Sequence, residues 1–98
     1  MKFKVEKLLA VEAEISALKQ SQRDLLKAEY EKIEQQGIEF VRVKPLQKKI
    51  YEIKSNDLRS LFKYKKGRII IIGVVFVKKT RKTPKDIIKL AESRLKEI

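Results

Sequence analysis

The sequence predicts an α+β domain with an N-terminal strand and a helical hairpin, followed by a three-strand antiparallel meander and a C-terminal helix. Two observations support this prediction. Apolar residues recur at helical spacing before residue 36 and again after residue 83, whereas the stretch between them contains strand-like runs separated by short polar turns. The length of 98 residues suits one domain, residues 1–98, with one core.

The N-terminal part of the chain predicts a short strand and two helices. The stretch KFKVEKLL begins with apolar and charged residues in alternation, as a strand does. Apolar residues then recur at spacings of three, four and seven, which predicts helices over residues 10 to 19 and 22 to 36. Gly37 is well placed to end the second helix, because glycine readily adopts the left-handed conformation that often follows a helix.

The central part predicts a connector and then the meander. Pro45 cannot continue a helix, so we expect residues 38 to 48 to connect the hairpin to the sheet. The turn sequences SND and KKG separate three predicted strands, at residues 49 to 54, 58 to 64 and 68 to 78. The last strand is apolar on both faces and is therefore expected to be central, with Gly73 permitting a bend or bulge.

The C-terminal helix has a clear start signal. Thr83 is expected to be its N-cap, Pro84 its first residue and Asp86 its third. An apolar stripe follows and is expected to pack on the sheet, with docking of a partner as the alternative. The stripe consists of Ile87, Ile88, Ala91, Leu95 and Ile98.

The residue types that are absent limit the chemistry. The chain has no cysteine and no histidine, so we expect no disulfide, thiolate nucleophile, zinc site or other cofactor. It has neither a glycine-rich phosphate loop nor an acidic cluster for metal-assisted hydrolysis. No stretch resembles a signal peptide or reaches the ~18 apolar residues of a membrane span, so we expect a cytoplasmic protein without a membrane partner.

The net charge of +12 is concentrated in the middle of the chain. Residues 1 to 40 contain seven Lys or Arg and eight Asp or Glu, residues 41 to 85 contain fifteen and two, and residues 86 to 98 contain three of each. A folded domain that keeps such a block of like charge is expected to present it to a polyanion, with a generally basic, solvated surface as the alternative.

Cations from separate elements are predicted to meet near the turn SND. Glu52 and Lys54 lie on one face of their strand, and Arg59 begins the next strand just past the turn. The basic run KKTRK, residues 78 to 82, leaves the end of the third strand. Charges that converge in this way suit a phosphodiester, whose oxygens need fixed cationic donors.

Several motifs identify a family resemblance. They are KPL, IYEIK, a strand with an arginine near its start followed by an aromatic, FVKKTRKTP, and AESRL in the last helix, of which FVKKTRKTP is the most specific. With these motifs the chain resembles the RelE/ParE superfamily of bacterial toxins, and most closely the HigB-like, phage-derived branch. The preceding helical hairpin fits the family order of elements, so the resemblance covers nearly the whole chain and implies a RelE-like fold.

The resemblance implies the toxin of a type II toxin-antitoxin system, a ribosome-dependent endoribonuclease that needs no metal. In such enzymes the RNA 2′-hydroxyl attacks the adjacent phosphate, leaving a cyclic phosphate and a free 5′-hydroxyl. The implied catalytic residues are Lys54, Arg59, Lys79 and Arg81, with Glu52 as an acid or base. Many relatives carry a Tyr or His near the C-terminus, which this chain lacks, and a lysine among other cations is the alternative proton carrier.

The implied partners are a cognate antitoxin protein and mRNA on the ribosome. Further lysines of the basic central segment are predicted to bind nucleic acid, namely Lys44, Lys48, Lys49, Lys63, Lys78 and Lys82. Two alternative functions stay open. One is a ParE-like toxin that inhibits DNA gyrase, and the other is a non-catalytic module that binds RNA or the ribosome.

Overall fold

The structure, a computed structural model, describes all of residues 1–98 and is built on one five-stranded sheet. The strands are β1 (Lys4–Lys7), β2 (Arg42–Gln47), β3 (Ile50–Ser55), β4 (Leu58–Lys65) and β5 (Ile69–Val77), and the helices are α1 (Leu9–Ser16), α2 (Gln20–Gln35) and α3 (Lys85–Leu95). The strand order is β1-β5-β4-β3-β2, with β1 parallel to β5 and all other neighbours antiparallel. This confirms the predicted α+β class and order of elements, with one strand more. None of the helices combines the length and apolarity that a membrane crossing requires.

The extra strand corrects the prediction of a connector at residues 38 to 48. This segment is a 3₁₀ turn, Ile38–Phe40, followed by β2, so the meander has four strands instead of three. Pro45 is tolerated because β2 is an edge strand that pairs only with β3, and the pairing register shifts just after Pro45. Proline breaks a central strand but not an edge strand, and the sequence alone does not distinguish the two.

The sheet separates two apolar cores. The core under α1 and α2 contains Val11, Leu26, Ile33, Ile53, Phe62, Ile70 and Ile72. The core under α3 contains Ile50, Leu61, Ile71, Val74, Ile88, Ala91 and Leu95. These two sets confirm that β5 is a central strand covered on both faces, and that most of the predicted apolar stripe of α3 packs on the sheet.

Gly73 forms the predicted bulge in β5. The pairing register between β4 and β5 shifts so that Ile72 and Val74 face consecutive residues of β4, and Gly73 has no partner. A Cβ at Gly73 would lie 2.7 Å from Leu95 Cγ, and the Gly73 carbonyl accepts a hydrogen bond from Arg94 Nη1 at 3.0 Å. The glycine therefore lets α3 lie close against the sheet.

The ends of the helical hairpin differ from the prediction by a few residues. Helix α1 ends at Ser16 instead of near residue 19, and α2 begins at Gln20 instead of residue 22. The side chain of Gln22 accepts a hydrogen bond from the Lys19 N–H at 3.0 Å, which caps α2 early. Gly37 follows α2 with φ at +136°, as expected of the residue that ends a helix.

The start of α3 corrects a further prediction. Thr83 is not the N-cap, because α3 begins at Lys85 directly after Pro84, and no side chain caps it. The Thr83 hydroxyl donates a hydrogen bond to Glu52 Oε2 instead. Glu52 is fully buried, and a buried carboxylate is costly unless it accepts hydrogen bonds. The bond from Thr83 to Glu52 is therefore more favourable than a capping bond at the start of α3.

Candidate nucleic-acid interface

Three cations lie side by side across the α3 side of the sheet, next to the β3–β4 turn. Arg42 of β2 pairs with Lys54 of β3, and Lys54 pairs with Arg59 of β4. Directly paired residues share a face, with Cβ atoms ~5 Å apart. We call Arg42, Lys54 and Arg59 the cation row. The structure thus brings Lys54 and Arg59 together as the sequence predicts, and adds Arg42.

Arg59 is held from two sides. Its Nη1 donates to the backbone carbonyls of Asn56 and Leu58 at 2.6 and 2.8 Å, and its Nε lies 3.7 Å from Glu52 Oε1. Only 13% of the Arg59 side chain is exposed. The guanidinium therefore keeps one orientation at the β3–β4 turn.

Glu52 is predicted to be an acid or base, but the structure buries it completely. Its Oε2 accepts the hydrogen bond from Thr83, and its Oε1 faces Arg59 Nε without a hydrogen bond. A carboxylate with no exposed surface does not reach a proton on bound RNA. The contacts of Glu52 instead tie Arg59 and the loop before α3 to β3.

A groove of about 560 Å³ opens beside the cation row. Its charged lining residues are the cation row together with Lys32 and Glu29, the only carboxylate there. Glu29 accepts a hydrogen bond from Ser55 Oγ at 3.1 Å, and its Oε2 lies 3.3 Å from Lys32 Nζ. Lys54 forms no ion pair and is therefore available to an anion. No group of three acidic side chains forms that could hold a metal ion.

The basic run Lys78–Lys82 starts at the same end of the sheet as the cation row. The Lys78 N–H donates to the carbonyl of Asp57, in the β3–β4 turn, at 2.7 Å. Lys79, Arg81 and Lys82 are exposed, and none of them forms an ion pair. The run therefore extends positive charge outward from the turn that holds Arg59.

Other lysines predicted to bind nucleic acid lie at the opposite end of the sheet. Lys48 and Lys49 form the β2–β3 turn, and Lys63 Nζ donates to the Leu95 carbonyl in the last turn of α3 at 3.1 Å. These three line a second groove, of about 450 Å³, together with Lys65, Lys66 and Lys96. The six residues of β3 separate the two grooves by roughly 20 Å at ~3.3 Å per residue. Lys44 lies between them on β2, opposite Glu52.

Several of these residues are not identified by the sequence patterns. Arg42 and Phe40, which also lines the first groove, fall in the segment predicted as a connector. The alternation RVK at residues 42 to 44 was an available strand signal, but Pro45 outweighed it. Lys65 and Lys66 belong only to the turn sequence KKG, Lys96 belongs to no motif, and only the fold brings these lysines beside Lys48 and Lys49.

Tyr51 and Tyr64 pack against each other and against Phe62. The two tyrosine rings lie 4.9 Å apart, and their distances to the Phe62 ring are 5.7 and 5.2 Å. Partial burial, and then the neighbouring Tyr51, raise the pKa of the Tyr64 phenol, so it stays neutral. These rings form an aromatic cluster in the sheet and do not line the groove of the cation row.

Comparisons with known proteins agree with this fold. The family model described as phage-derived protein Gp49-like matches residues 13–96. No curated protein sequence matches the chain. A chain of the archaeal RelE-RelB complex from Pyrococcus horikoshii is similar with a TM-score of 0.68 and 17% identity, over 84% of this chain and 100% of that one. The RelBE toxin-antitoxin complex from Mycobacterium tuberculosis contains a chain with a TM-score of 0.59 and 17% identity, over 80% of this chain and 100% of that one.

The structural likeness establishes the fold, and the family match covers most of the chain. The resemblance inferred from FVKKTRKTP and the order of elements is thereby confirmed for the phage-derived family and for the RelE-like fold. This protein belongs to the Gp49-like family of phage-derived proteins and has a RelE-like fold.

Proposed function

We propose that this protein is the toxin of a type II toxin-antitoxin pair and an endoribonuclease that cleaves mRNA on the ribosome, as HigB-like toxins do. The observation that carries this proposal is the cation row beside a groove of about 560 Å³. The fold, shared with chains of a RelE-RelB and a RelBE toxin-antitoxin complex, supports it. The proposed site of action is the cytoplasm, and the reaction uses no metal or other cofactor.

The proposed reaction is an attack of the RNA on its own backbone. The 2′-oxygen loses its proton and bonds to the adjacent phosphorus, and the bond from phosphorus to the 5′-oxygen breaks, leaving a cyclic phosphate and a 5′-hydroxyl. Negative charge builds up on the phosphate oxygens on the way. Arg42 and Lys54 supply positive charge at the groove, and Arg59 adds a guanidinium that Glu52 and the turn carbonyls hold in place.

Two groups are proposed to move protons in this reaction. Glu29 is the only carboxylate that lines the groove and is the proposed acceptor for the proton of the 2′-hydroxyl. Lys54, which has no ion-pair partner, is the proposed donor to the leaving 5′-oxygen. Lys79 and Arg81 of the exposed basic run are proposed to hold the flanking phosphates.

Mapping of mRNA 5′ ends after inducible expression tests this proposal. The wild type should produce new 5′ ends inside translated reading frames. Arg42→Ala and Lys54→Ala should each lower the cleavage rate by about 100- to 1,000-fold, the usual cost of losing one fixed donor to the transition-state charge. Lys27→Ala is the matched control, because it removes one exposed lysine of α2 outside the groove of the cation row. Intact mRNA with the wild type contradicts the proposal, and altered DNA supercoiling in those cells indicates a gyrase inhibitor instead.

One observation favours a second candidate function, a non-catalytic module that binds RNA or the ribosome. Arg59 lies 3.7 Å from the buried carboxylate of Glu52 and donates hydrogen bonds to the nearby backbone, so part of the charge at the site serves the fold. Such a module needs only exposed cations, which the protein has in excess. The same experiment separates the two functions, because a binding module associates with ribosomes but leaves mRNA intact.

The proposed protein partner is a cognate antitoxin with an acidic segment. Residues 41 to 85 contain fifteen basic and two acidic residues, and most of the basic side chains are exposed. An acidic segment laid along the cation row or the basic run complements this charge and blocks access to the groove. The proposed complex therefore inhibits by covering the site.

A further inference from the structure

Phe40 is the most exposed aromatic side chain of the protein, with 58% of its surface accessible. Tyr64 follows at 37%, but its ring packs against Phe3, Tyr51 and Phe62. Phe40 has no aromatic neighbour and belongs to neither core. Its ring therefore contributes little to the stability of the fold in its present position.

The backbone fixes where this ring stands. Phe40 ends the 3₁₀ turn, its N–H donates to the Gly37 carbonyl at 3.2 Å, and the next residue, Val41, is buried in the core under the helical hairpin. With Val41 anchored inward, Phe40 and Arg42 on either side of it remain exposed. The ring is thus displayed on an ordered turn and not on a loose loop.

Phe40 lines the same groove as the three residues of the cation row. The Cα atoms of Phe40 and Arg42 are at most ~7 Å apart, because an extended chain spans at most ~3.6 Å per residue. One flat apolar face therefore stands beside three positive charges, of which that of Arg59 is held in place. This combination matches the two parts of a nucleotide, a base that stacks and a phosphate that pairs with cations.

We propose that Phe40 is a stacking platform for one base of a single-stranded RNA whose phosphates contact the cation row, an inference that rests on the proposed function. The acidic side chains of a protein segment would pair with the cations but have no flat ring system to place on Phe40. Stacking on a phenyl ring discriminates little between bases, so Phe40 adds affinity and positions the strand without selecting a sequence. The ring would hold the nucleotide next to the one whose phosphate meets Arg42 and Lys54.

Binding to two anions separates stacking from charge. The first probe is a 2′-O-methyl oligoribonucleotide of about eight nucleotides, within the range of single-strand sites, which cannot be cleaved because its 2′-oxygens are blocked. The second probe is inorganic polyphosphate, which has the charges but no bases. Phe40→Ala should weaken binding of the oligonucleotide by about 5- to 150-fold, the range typical of one lost stacking contact, and leave binding of polyphosphate unchanged. Leu9→Ala is the control, since Leu9 is an apolar residue with 83% exposure outside the groove.

A fluorescence measurement reports the stack directly. The chain has no tryptophan, so Phe40→Trp introduces a single indole at the platform. This variant should keep wild-type affinity for the oligonucleotide, and its emission should be quenched by the oligonucleotide but not by polyphosphate. Quenching by an acidic peptide such as polyglutamate, without quenching by the oligonucleotide, would assign the ring to a protein partner and overturn the inference.

The remaining outcomes distinguish this inference from the proposed function. Equal affinity of wild type and Phe40→Ala for the oligonucleotide overturns the stacking role, as does the absence of any oligonucleotide binding to the wild type. In either case, mapping of mRNA 5′ ends with wild-type protein decides separately whether the endoribonuclease proposal stands. Cleavage by the wild type together with unchanged cleavage by Phe40→Ala leaves the function intact and removes only Phe40 from it.

Discussion

Substitution of Arg59 by alanine is expected to destabilise the protein strongly, before any effect on chemistry. Arg59 Nε lies 3.7 Å from Oε1 of Glu52, whose side chain is completely buried. At this distance and an effective dielectric constant of about 20, the attraction is about 4 kcal/mol. Arg59→Ala removes it, together with the two hydrogen bonds to the turn carbonyls, and leaves the Glu52 carboxylate with the Thr83 hydroxyl as its remaining partner.

The expected loss is about 3 to 5 kcal/mol, as found when one member of a buried ion pair is deleted. A domain of this size has a total stability of roughly 5 to 15 kcal/mol, so the variant is expected to be marginal. Urea unfolding followed by far-UV circular dichroism measures the change. With a slope of about 1.5 kcal/mol per molar, the midpoint should fall by roughly 2 to 3 M. Lys54→Ala, one strand away in the cation row, is the control and should stay within about 0.5 kcal/mol of the wild type.

A double-mutant cycle isolates the ion pair itself. Glu52→Gln combined with Arg59→Ala should cost less than the sum of the two single changes, with a coupling of about 0.5 to 3 kcal/mol. A wild-type urea midpoint for Arg59→Ala, or strict additivity in the double variant, would refute the argument that Arg59 neutralises a buried charge. Because Arg59→Ala is expected to weaken the fold, its effect on mRNA cleavage does not by itself assign chemistry to Arg59, and Lys54→Ala is the cleaner test of the site.

Three further predictions concern the charge of the protein and its packing. If residues 41 to 85 neutralise about five phosphates, a plot of log RNA affinity against log salt concentration should have a slope of about −3.5. Filter binding measures this slope, and a value near zero would show that the basic residues of this segment are only solvated surface. The double substitution Arg81→Glu and Lys82→Glu should slow association with an acidic antitoxin more than it speeds dissociation. Stopped-flow association rates that change neither with salt nor with these substitutions would show that the basic run does not bind the antitoxin. Gly73→Ala should cost about 1 to 3 kcal/mol in urea unfolding because the new Cβ meets Leu95 at 2.7 Å, whereas an unchanged midpoint would mean that α3 shifts freely.

Local sequence patterns were sufficient for most of the fold. Periods of three to four and of two residues identified all three helices and four of the five strands, since these periods follow directly from backbone geometry. Gly73 and Gly37 were assigned correctly, because a bulge and a helix end both favour a residue without a Cβ. The motif FVKKTRKTP was enough to indicate the family, which the match over residues 13–96 bears out.

Apart from the ends of the helical hairpin, the errors in the predicted fold involve contacts between residues distant in sequence. From the sequence alone, Pro45 is expected to break a strand. The tertiary structure places β2 at the edge of the sheet, where the backbone N–H that proline lacks is not needed for pairing. From the sequence alone, Thr83 is expected to cap a helix. In the structure its hydroxyl instead donates a hydrogen bond to the buried carboxylate of Glu52, 31 residues earlier in the chain. In each case the tertiary environment decided which hydrogen bonds were needed, and this outweighed a local preference that is correct on average.

The sequence by itself determined that the protein is a basic α+β domain with a RelE-like order of elements and a positive central segment. Only the tertiary structure decided how that charge is arranged. Cross-strand register aligned Arg42, Lys54 and Arg59 in one row, and the length of β3 separated them from the lysines at the other end of the sheet. Composition and spacing record how many charges there are and which way each side chain points along its own strand. Which strands become neighbours is set by burial of the two cores, and that burial is a property of the whole chain.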